Sequence, residues 1–305
     1  MRITGTQGMN IRLAENFRAV FYAPFYATVV LGFHREEGVD ITLLDSPSPG
    51  AGINDLVAGR IGCMWGGPLR IIRERDVKPM DSASLMAFGE VAGKDPFCLV
   101  GNSGAPFDLR DLRRLTLGAV SEVPTPWLCL EQDLRDLGVD PGAIGLVAGN
   151  TMPANLEALA RGEIDAAQVF EPYVTLAERQ GARVLYAASE RGYTAYTTFL
   201  STVDSIERNR GAFEAMIRAV ERFGPWMQAH GPAELARVVS GFYPDFSHDV
   251  LVSAFTRYRD AGLWTCRRAV SRAGFDRLAL SMRDSGYVRS LPAYEHCVAD
   301  FAREA

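Results

Sequence analysis

Two stretches of this chain repeat the same succession of structural signals. In each one a helical pattern ends at a glycine, an apolar strand pattern runs to an aromatic residue, and a proline opens the next helical pattern. Glycine just past a helix end readily takes the left-handed cap conformation. The stretches are residues 56–68, which contain Trp65-Gly66-Gly67-Pro68, and residues 159–173, which end in Phe170-Glu171-Pro172-Tyr173. The repeat predicts two similar α/β units, although the succession is common enough in α/β proteins for chance similarity to be the alternative.

Strand and helix patterns alternate on both sides of a break at residues 101–106, which is rich in loop-forming residues. Beyond Asp204 the pattern becomes almost entirely helical. Alternation of this kind predicts α/β architecture with mostly parallel sheets and helices on both faces. The predicted strands are 10–14, 39–44, 61–65, 84–90, 97–100, 115–120, 145–148, 166–170, 183–186 and 197–202, and the predicted C-terminal helices are 212–230, 232–242, 248–261, 274–285 and 293–302.

The composition is that of an ordinary folded protein, with 305 residues, 48% of them hydrophobic, and a net charge of −5. No run of Lys and Arg is long enough to indicate a nucleic-acid surface. No apolar run reaches the roughly 18 residues that a membrane span needs, so membrane insertion is not expected. The N-terminal residues lack the apolar core of a secretory signal. We therefore expect a cytoplasmic protein if the chain is complete as written, and a periplasmic one if a leader has been removed.

The cysteines and histidines give no sign of a disulfide framework or a metal site. The five cysteines are scattered, without a C-x-x-C pair, and are expected to be buried small side chains. No phosphate loop or H-E-x-x-H motif occurs. No cofactor and no metal are therefore expected. Cys63 is the one thiol near the candidate site described next, and we favour a buried core residue over a nucleophile because no activating base is evident.

The segment Trp65-Gly66-Gly67-Pro68 is the strongest single candidate for a binding site. Ligands of open α/β sheets bind outside the carboxyl ends of the strands, where Trp65 is predicted to stand. Gly66 and Gly67 allow a ligand to approach backbone N–H groups closely. The helix opened by Pro68 has an N-terminus that favours negative charge. A tight turn with Trp65 packed in the core explains the segment equally well.

Other candidate residues follow predicted strands on the same side of the sheets. Phe21, Tyr22, Tyr193 and Tyr196 are predicted to form aromatic walls of the site. Hydrogen-bonding groups are predicted to come from loops that precede helices. For Ser121 and Thr125, plain capping of a helix is the more common role. Arg70 is the one arginine near the predicted cleft. The polar candidates are Ser48, Arg70, Glu90, Ser121, Glu122, Thr125 and Glu171, of which the three glutamates could include an acid–base pair.

These residues together resemble a known family, the solute-binding proteins of ABC importers in the taurine, alkanesulfonate and thiamine-pyrimidine-precursor group. The resemblance covers roughly the first two hundred residues. It depends on the segments Tyr22-Ala23-Pro24-Phe25-Tyr26, Glu36-Glu37-Gly38-Val39-Asp40-Ile41, Leu56-Val57-Ala58-Gly59-Arg60-Ile61, Trp65-Gly66-Gly67-Pro68, Leu159-Ala160-Arg161-Gly162-Glu163-Ile164-Asp165-Ala166 and Glu171-Pro172-Tyr173.

The resemblance implies a two-lobed periplasmic-binding-protein fold of type II, with a helical C-terminal extension and the ligand in the cleft. Lobe one would comprise residues 1–101 and 198–305, and lobe two residues 102–197. The implied partners are a small-molecule ligand and an ABC transporter permease. Closure of the lobes on the ligand would be a hinge motion.

A binding protein without chemistry of its own is the function we favour from the sequence. The aromatic content suits a small, flat or partly apolar ligand, for which a thiamine-precursor pyrimidine is the first candidate by resemblance. A sulfonate would require a convergent arginine. The alternatives are a cytoplasmic enzyme of the same fold, desulfinase-like or pyrimidine-synthase-like, and a ligand sensor. The loop 19–24 lacks the cysteine that a desulfinase of similar fold uses, and no cysteine-rich iron motif occurs.

Overall fold

The computed structural model describes residues 9–46, 48–102, 104, 106–120 and 123–304. These residues form two mixed β-sheets flanked by helices. The strands are β1 Met9–Ala14, β2 Val39–Leu44, β3 Cys63–Gly66, β4 Leu85–Ala92, β5 Phe97–Gly101, β6 Thr116–Gly118, β7 Gly145–Val147, β8 Ala166–Phe170, β9 Arg183–Ala187, β10 Thr197–Thr202 and β11 Trp264–Arg267. The helices are α1 Ala23–Val30, α2 Phe33–Glu36, α3 Gly52–Val57, α4 Leu69–Val77, α5 Thr125–Asp136, α6 Met152–Ala160, α7 Tyr173–Arg179, α8 Val203–Glu221, α9 Phe223–Val239, α10 His248–Asp260 and α11 Arg272–Asp284.

The first sheet has the order β11-β4-β10-β3-β1-β2, and the second has the order β7-β6-β8-β5-β9. We call the first sheet with its helices lobe one, and the second sheet with its helices lobe two. The expected α/β fold with two mixed sheets flanked by helices is confirmed, but the prediction that these sheets are mostly parallel is wrong, because five of the nine strand pairs among the described residues are antiparallel. Parallel pairing is confined to β1–β2, β1–β3, β6–β7 and β6–β8, and the remaining pairs are antiparallel. Four of the five antiparallel pairs involve β5 or β10, the strands that receive the chain after it crosses between the sheets, and the fifth joins β11 to β4.

The chain passes between the sheets twice, through residues 93–96 and through residues 188–196. The first crossing lies a few residues earlier than the predicted lobe boundary. Phe97–Gly101, predicted in lobe one, forms β5 and pairs with β8 and β9 in the second sheet. The composition break at 101–106 is therefore a loop that follows the first strand of lobe two.

The two glycines of the repeated signals have the same backbone conformation in both lobes. Gly59 and Gly162 have φ of 69° and 71°, in the left-handed region. Each donates its N–H to a carbonyl three residues earlier in the preceding helix, at Leu56 and at Leu159 respectively. The glycine caps predicted for α3 and α6 are thereby confirmed.

The C-terminal third departs from its predicted pattern at three places. The predicted helices 212–230 and 232–242 are instead α8, which runs from Val203 to Glu221, and α9, which runs from Phe223 to Val239 with the non-helical Gly231 inside it. A short strand, β11, lies at the edge of the first sheet, where no element is predicted. The predicted helix 293–302 is instead two single 3-10 turns, Tyr294–His296 and Asp300–Ala302, separated by a bridge between Val298 and Ala87 of β4. The apolar residues of this segment pack on the sheet, and their spacing along the sequence resembles the spacing of apolar residues in a helix.

The core of lobe one is rich in aromatic side chains around Trp65. The Trp65 indole is fully buried and stacks on Phe25, with ring centroids 4.5 Å apart. Phe25 in turn meets Phe199 of β10 edge to face. In the described part of the chain, no helix is long and apolar enough to cross a membrane.

Candidate functional site

A cleft with a volume of about 130 Å³ lies between the lobes, at the carboxyl ends of β1 and β3. Lobe two closes it with the start of α5. The volume is well below the roughly 300–1,000 Å³ of sites for drug-sized molecules, so the cleft suits a small ligand. Its lining residues are Asn16, Phe17, Phe21, Tyr22, Gly67, Leu69, Arg70, Val123, Pro124, Thr125, Tyr196 and Tyr287.

Asn16 organises the polar side of the cleft. Its Oδ1 accepts hydrogen bonds from Gly50 N at 2.9 Å and from Arg70 Nη2 at 3.1 Å. Its Nδ2 donates to the Tyr22 hydroxyl at 3.3 Å. One buried amide therefore fixes a loop, a guanidinium and a phenol in a single arrangement.

Arg70 brings a positive charge into the cleft without a matching negative one. Among the described residues no carboxylate forms an ion pair with its guanidinium, which contacts Asn16. Burial lowers the pKa of Arg70, but an arginine remains protonated at neutral pH. A partly buried cation with free N–H donors favours an anionic group as its partner.

Tyr22 adds a second donor beside this cation. Because its oxygen accepts from Asn16 Nδ2, its O–H proton is available to another acceptor. Burial raises the pKa of Tyr22, so the phenol stays protonated at neutral pH. Arg70 and Tyr22 thus present donors to the same small space.

Aromatic rings form the apolar side of the cleft. The Phe21 ring lies edge to face with Tyr196 at 5.9 Å and with Phe17 at 6.0 Å. Tyr196 is the last residue of the second crossing between the lobes. A flat or apolar part of a ligand can pack on these rings.

The start of α5 is the contribution of lobe two. Val123 and Pro124 precede the helix, and Thr125 is its first residue. The first N–H groups of a helix have no carbonyl partner within it, and the helix dipole adds partial positive charge there. The two candidates just before this helix, Ser121 and Glu122, lie outside the described residues.

Six of the predicted site residues line the cleft: Phe21, Tyr22, Gly67, Arg70, Thr125 and Tyr196. At Gly67 a Cβ atom would stand 3.2 Å from the Tyr196 carbonyl oxygen, which explains the glycine by tight packing. Contact of these residues with a ligand remains a prediction.

Trp65 and Gly66 do not line the cleft. The Trp65 side chain points into the core of lobe one, because β3 ends with this ring stacked between α1 and the sheet. Gly66 is a buried strand residue whose carbonyl accepts from Thr198 Oγ1 at 3.5 Å. Of the two interpretations of Trp65, packing in the core is therefore correct and a wall of the cleft is wrong. Phe17, Phe21 and Tyr196 form the aromatic wall of the cleft in its place.

Glu90 and Glu171 are buried in separate ion pairs instead of facing a ligand. Glu90 accepts from Arg267 Nε at 3.0 Å and from Ser271 N at 3.0 Å. Glu171 accepts from Arg257 Nε at 2.6 Å and from Thr175 N at 3.0 Å. Burial raises the pKa of both carboxyls, and the neighbouring donors oppose that rise. Their partners lie on different elements, so the two do not form an acid–base pair.

Tyr193 and Ser48 also lie away from the cleft. The Tyr193 ring is 49% exposed and has the Arg267 guanidinium over it at 5.1 Å. Ser48 is exposed, and its carbonyl accepts from Ser46 Oγ at 2.9 Å. The loop of Ser48 still contributes indirectly, since Gly50 binds Asn16.

Sequence reasoning missed six lining residues: Asn16, Phe17, Leu69, Val123, Pro124 and Tyr287. Asn16 and Phe17 follow β1 directly, so the rule that selects residues at strand ends could have found them. Tyr287 follows α11 near the end of the chain, and no local pattern connects it to the cleft. Its position comes from the packing of the C-terminal segment on α4, where the Arg73 guanidinium lies over its ring at 5.2 Å.

The thiols and acidic side chains do not form an alternative reactive centre in the described part of the chain. All five cysteines are free and buried. Burial raises the pKa of Cys63, which disfavours the thiolate that a nucleophile requires. Among the described residues, no group of three or more His, Cys, Asp or Glu side chains converges as a metal site would require.

Comparison with known protein families gives a match over residues 20–234, to the model of the NMT1/THI5-like family. Among characterised sequences, YtlA from Bacillus subtilis, provisionally assigned as a binding protein, is 22% identical over 269 residues, which cover 82% of this chain and 75% of YtlA.

Two solved structures define the fold. The periplasmic aliphatic sulphonate binding protein SsuA from Escherichia coli superposes with a TM-score of 0.77 at 16% identity, covering 97% of this chain and 94% of SsuA. The desulfurization enzyme DSZB superposes with a TM-score of 0.64 at 13% identity, covering 96% of this chain and 97% of that enzyme. The fold is therefore that of the periplasmic binding proteins, and it is shared by a sulphonate binding protein and by an enzyme.

Proposed function

The chain belongs to the NMT1/THI5-like family, and from that premise we propose that it is the substrate-binding component of an ABC importer. The main support is the cleft between the lobes, in which Arg70 stands without a carboxylate partner among the described residues. The provisional binding role of YtlA and the sulphonate binding of SsuA agree with this function.

The ligand we propose is small and carries one anionic group next to a flat or apolar part. The anionic group binds Arg70 and the Tyr22 hydroxyl, with the start of α5 opposite them. The flat part packs on Phe21 and Tyr196. A ligand held this way contacts both lobes and so stabilises the closed arrangement.

A thiamine-precursor pyrimidine is one member of this class that fits the aromatic side of the cleft. Its ring can stack on the aromatic residues, and a phosphorylated form supplies the negative charge that Arg70 requires. A sulfonate group supplies that charge as well, but it does not define which flat or apolar group the ligand carries. The two chemistries are separated by direct screening.

The first experiment is a thermal-shift screen of the purified protein against pyrimidines with and without a phosphate, sulfonates and aromatic acids. A ligand at a hundredfold excess over its Kd stabilises the folded state by about 2.7 kcal/mol. We expect hits among anionic compounds and none among their neutral analogues. Arg70→Gln removes the shift, whereas Arg113→Gln, a matched change of an exposed arginine in lobe two, leaves it unchanged.

Recovery of the hit by mass spectrometry distinguishes binding from catalysis. A binding protein returns the ligand unchanged, whereas an enzyme of the DSZB type consumes it. Transport is tested in the host: loss of the gene abolishes uptake of the identified ligand if the protein serves an importer. A sensor leaves uptake intact and alters expression instead.

A further inference from the structure

A second cavity, of about 360 Å³, lies between the lobes and shares the lining residue Phe17 with the cleft. Lobe one contributes residues 17–20, Pro49 and residues 242–246 to it, and lobe two contributes Met152, Phe170, Pro172 and Tyr173. It is the more apolar of the two spaces, with several aromatic rings in its wall, among them Phe170, Tyr173, Phe242, Tyr243 and Phe246.

Phe17 lines both spaces and separates them. Its ring lies 5.3 Å from Tyr22 in the cleft and 6.5 Å from Phe170 in the second cavity. Phe21 and Phe170 are buried and meet edge to face at 5.2 Å, whereas Phe17 is only half-buried. A change of rotamer at this half-buried ring would join the two spaces.

The charges around the second cavity select an uncharged occupant. Arg18 is at its edge, but its guanidinium is already neutralised by Glu15 at 2.9 Å and Asp45 at 2.8 Å. Asp245 lines the same edge and repels anions. Among the described residues that line the two spaces, the cation without a carboxylate partner is Arg70, which lies in the cleft.

We infer that the ligand of the cleft carries an apolar group that lies in this second cavity. The inference rests on the proposed function, and it narrows the ligand class to an anion with an extended apolar part. A single molecule that passes Phe17 places its charge on Arg70 and its apolar group against Phe170 and Phe246. It then contacts both lobes at two places, which strengthens the coupling between binding and closure.

The test uses isothermal titration calorimetry with three probes: ethanesulfonate, 3-phenylpropane-1-sulfonate and the neutral 3-phenylpropan-1-ol. The sulfonates share one anionic group and differ in the apolar part. We expect the phenyl compound to bind the wild type at least tenfold more tightly than ethanesulfonate. Arg70→Gln weakens both sulfonates tenfold or more, because both depend on the same cation.

Two variants assign the gain to the second cavity. Phe246→Glu places a charge in its wall and removes the gain of the phenyl compound, with ethanesulfonate unchanged. Phe246→Ala, a milder change if the charged variant is unstable, reduces the same gain. Val77→Glu is the matched control, because Val77 is 65% exposed on α4 and lines neither space.

Three results overturn the inference. Equal affinities of the two sulfonates for the wild type exclude the apolar subsite and leave the proposed function standing. Tight binding of 3-phenylpropan-1-ol that is indifferent to Arg70→Gln and does not compete with ethanesulfonate shows a separate apolar site. Failure of all three probes to bind the folded wild type overturns the inference, whereas the anion site of the proposed function is overturned only if the phosphorylated pyrimidines and aromatic acids of the thermal-shift screen fail to bind as well.

Discussion

Arg191 connects the two segments through which the chain passes between the sheets. Its Nη1 lies 2.5 Å from Asp95 Oδ2, where Asp95 belongs to the first crossing and Arg191 to the second. The same guanidinium binds Asp133 of α5, the helix whose first residue lines the cleft. Asp133 also pairs with Arg277 of α11 in lobe one, at 2.7 Å. One buried network thus joins both crossings, the site-forming helix of lobe two and lobe one.

Removing Arg191 is expected to destabilise the protein strongly. Arg191→Met leaves Asp95 and Asp133 buried without their main partner, and breaking a buried pair in this way costs about 3–5 kcal/mol. Equilibrium urea unfolding followed by circular dichroism measures the loss. Arg113→Met, on an exposed arginine, should change the free energy of unfolding by less than about 0.5 kcal/mol. A loss below about 1 kcal/mol for Arg191→Met would show that the network is dispensable.

Because His34 is buried, we expect the protein to lose stability at mildly acidic pH. Its side chain is buried, and burial lowers its pKa from 6.5 to about 4. The unfolded chain therefore binds a proton at higher pH than the folded chain does. Stability from the neutral imidazole is fully present above about pH 6.5 and is lost as the pH falls toward 4. The contribution at pH 5 is about 2 kcal/mol lower than at pH 7.

The measurement is the free energy of unfolding of wild type and His34→Gln between pH 4.5 and 7.5. The variant is expected to lose this part of the pH dependence, whatever its overall stability. Val77→Gln, at an exposed position that carries no titratable group, is the control and keeps the wild-type profile. Identical slopes for wild type and His34→Gln would rule out the assignment.

The cysteines are expected to resist modification in the folded protein. All five are buried, and burial raises the pKa of Cys98 and Cys129 to about 12. Iodoacetamide at pH 8 should label none of them in native protein and all of them in denaturant. Rapid labelling of Cys63 in the native state would instead reveal an accessible thiolate and revive the enzymatic alternative.

Local sequence rules predict the elements of this fold better than they predict the side-chain directions within the site. Gly59 and Gly162 are recognisable because a helix end imposes a backbone conformation that glycine takes without strain. The apolar run before Trp65 correctly predicts its position near the end of a strand. The direction of its ring depends on Phe25 and Phe199, which are distant in sequence. Glu90 and Glu171 likewise have partners, Arg267 and Arg257, that only tertiary packing reveals.

Residues that form the cleft can also be invisible to local sequence rules. Asn16 has no motif of its own, yet it holds Arg70, Tyr22 and Gly50 in one arrangement. Its importance follows from three hydrogen bonds to residues in separate parts of the chain. Tyr287 reaches the cleft only because the segment after α11 packs on α4.

The most direct test of the account is a calorimetric titration of the best anionic hit into wild type, Arg70→Gln and Arg113→Gln, followed by mass spectrometry of the recovered ligand. We predict saturable binding to wild type and Arg113→Gln, a Kd at least tenfold higher for Arg70→Gln, and a ligand recovered unchanged. Equal affinity of all three proteins would contradict the placement of the anion at Arg70. A ligand recovered as a product would contradict the binding function itself.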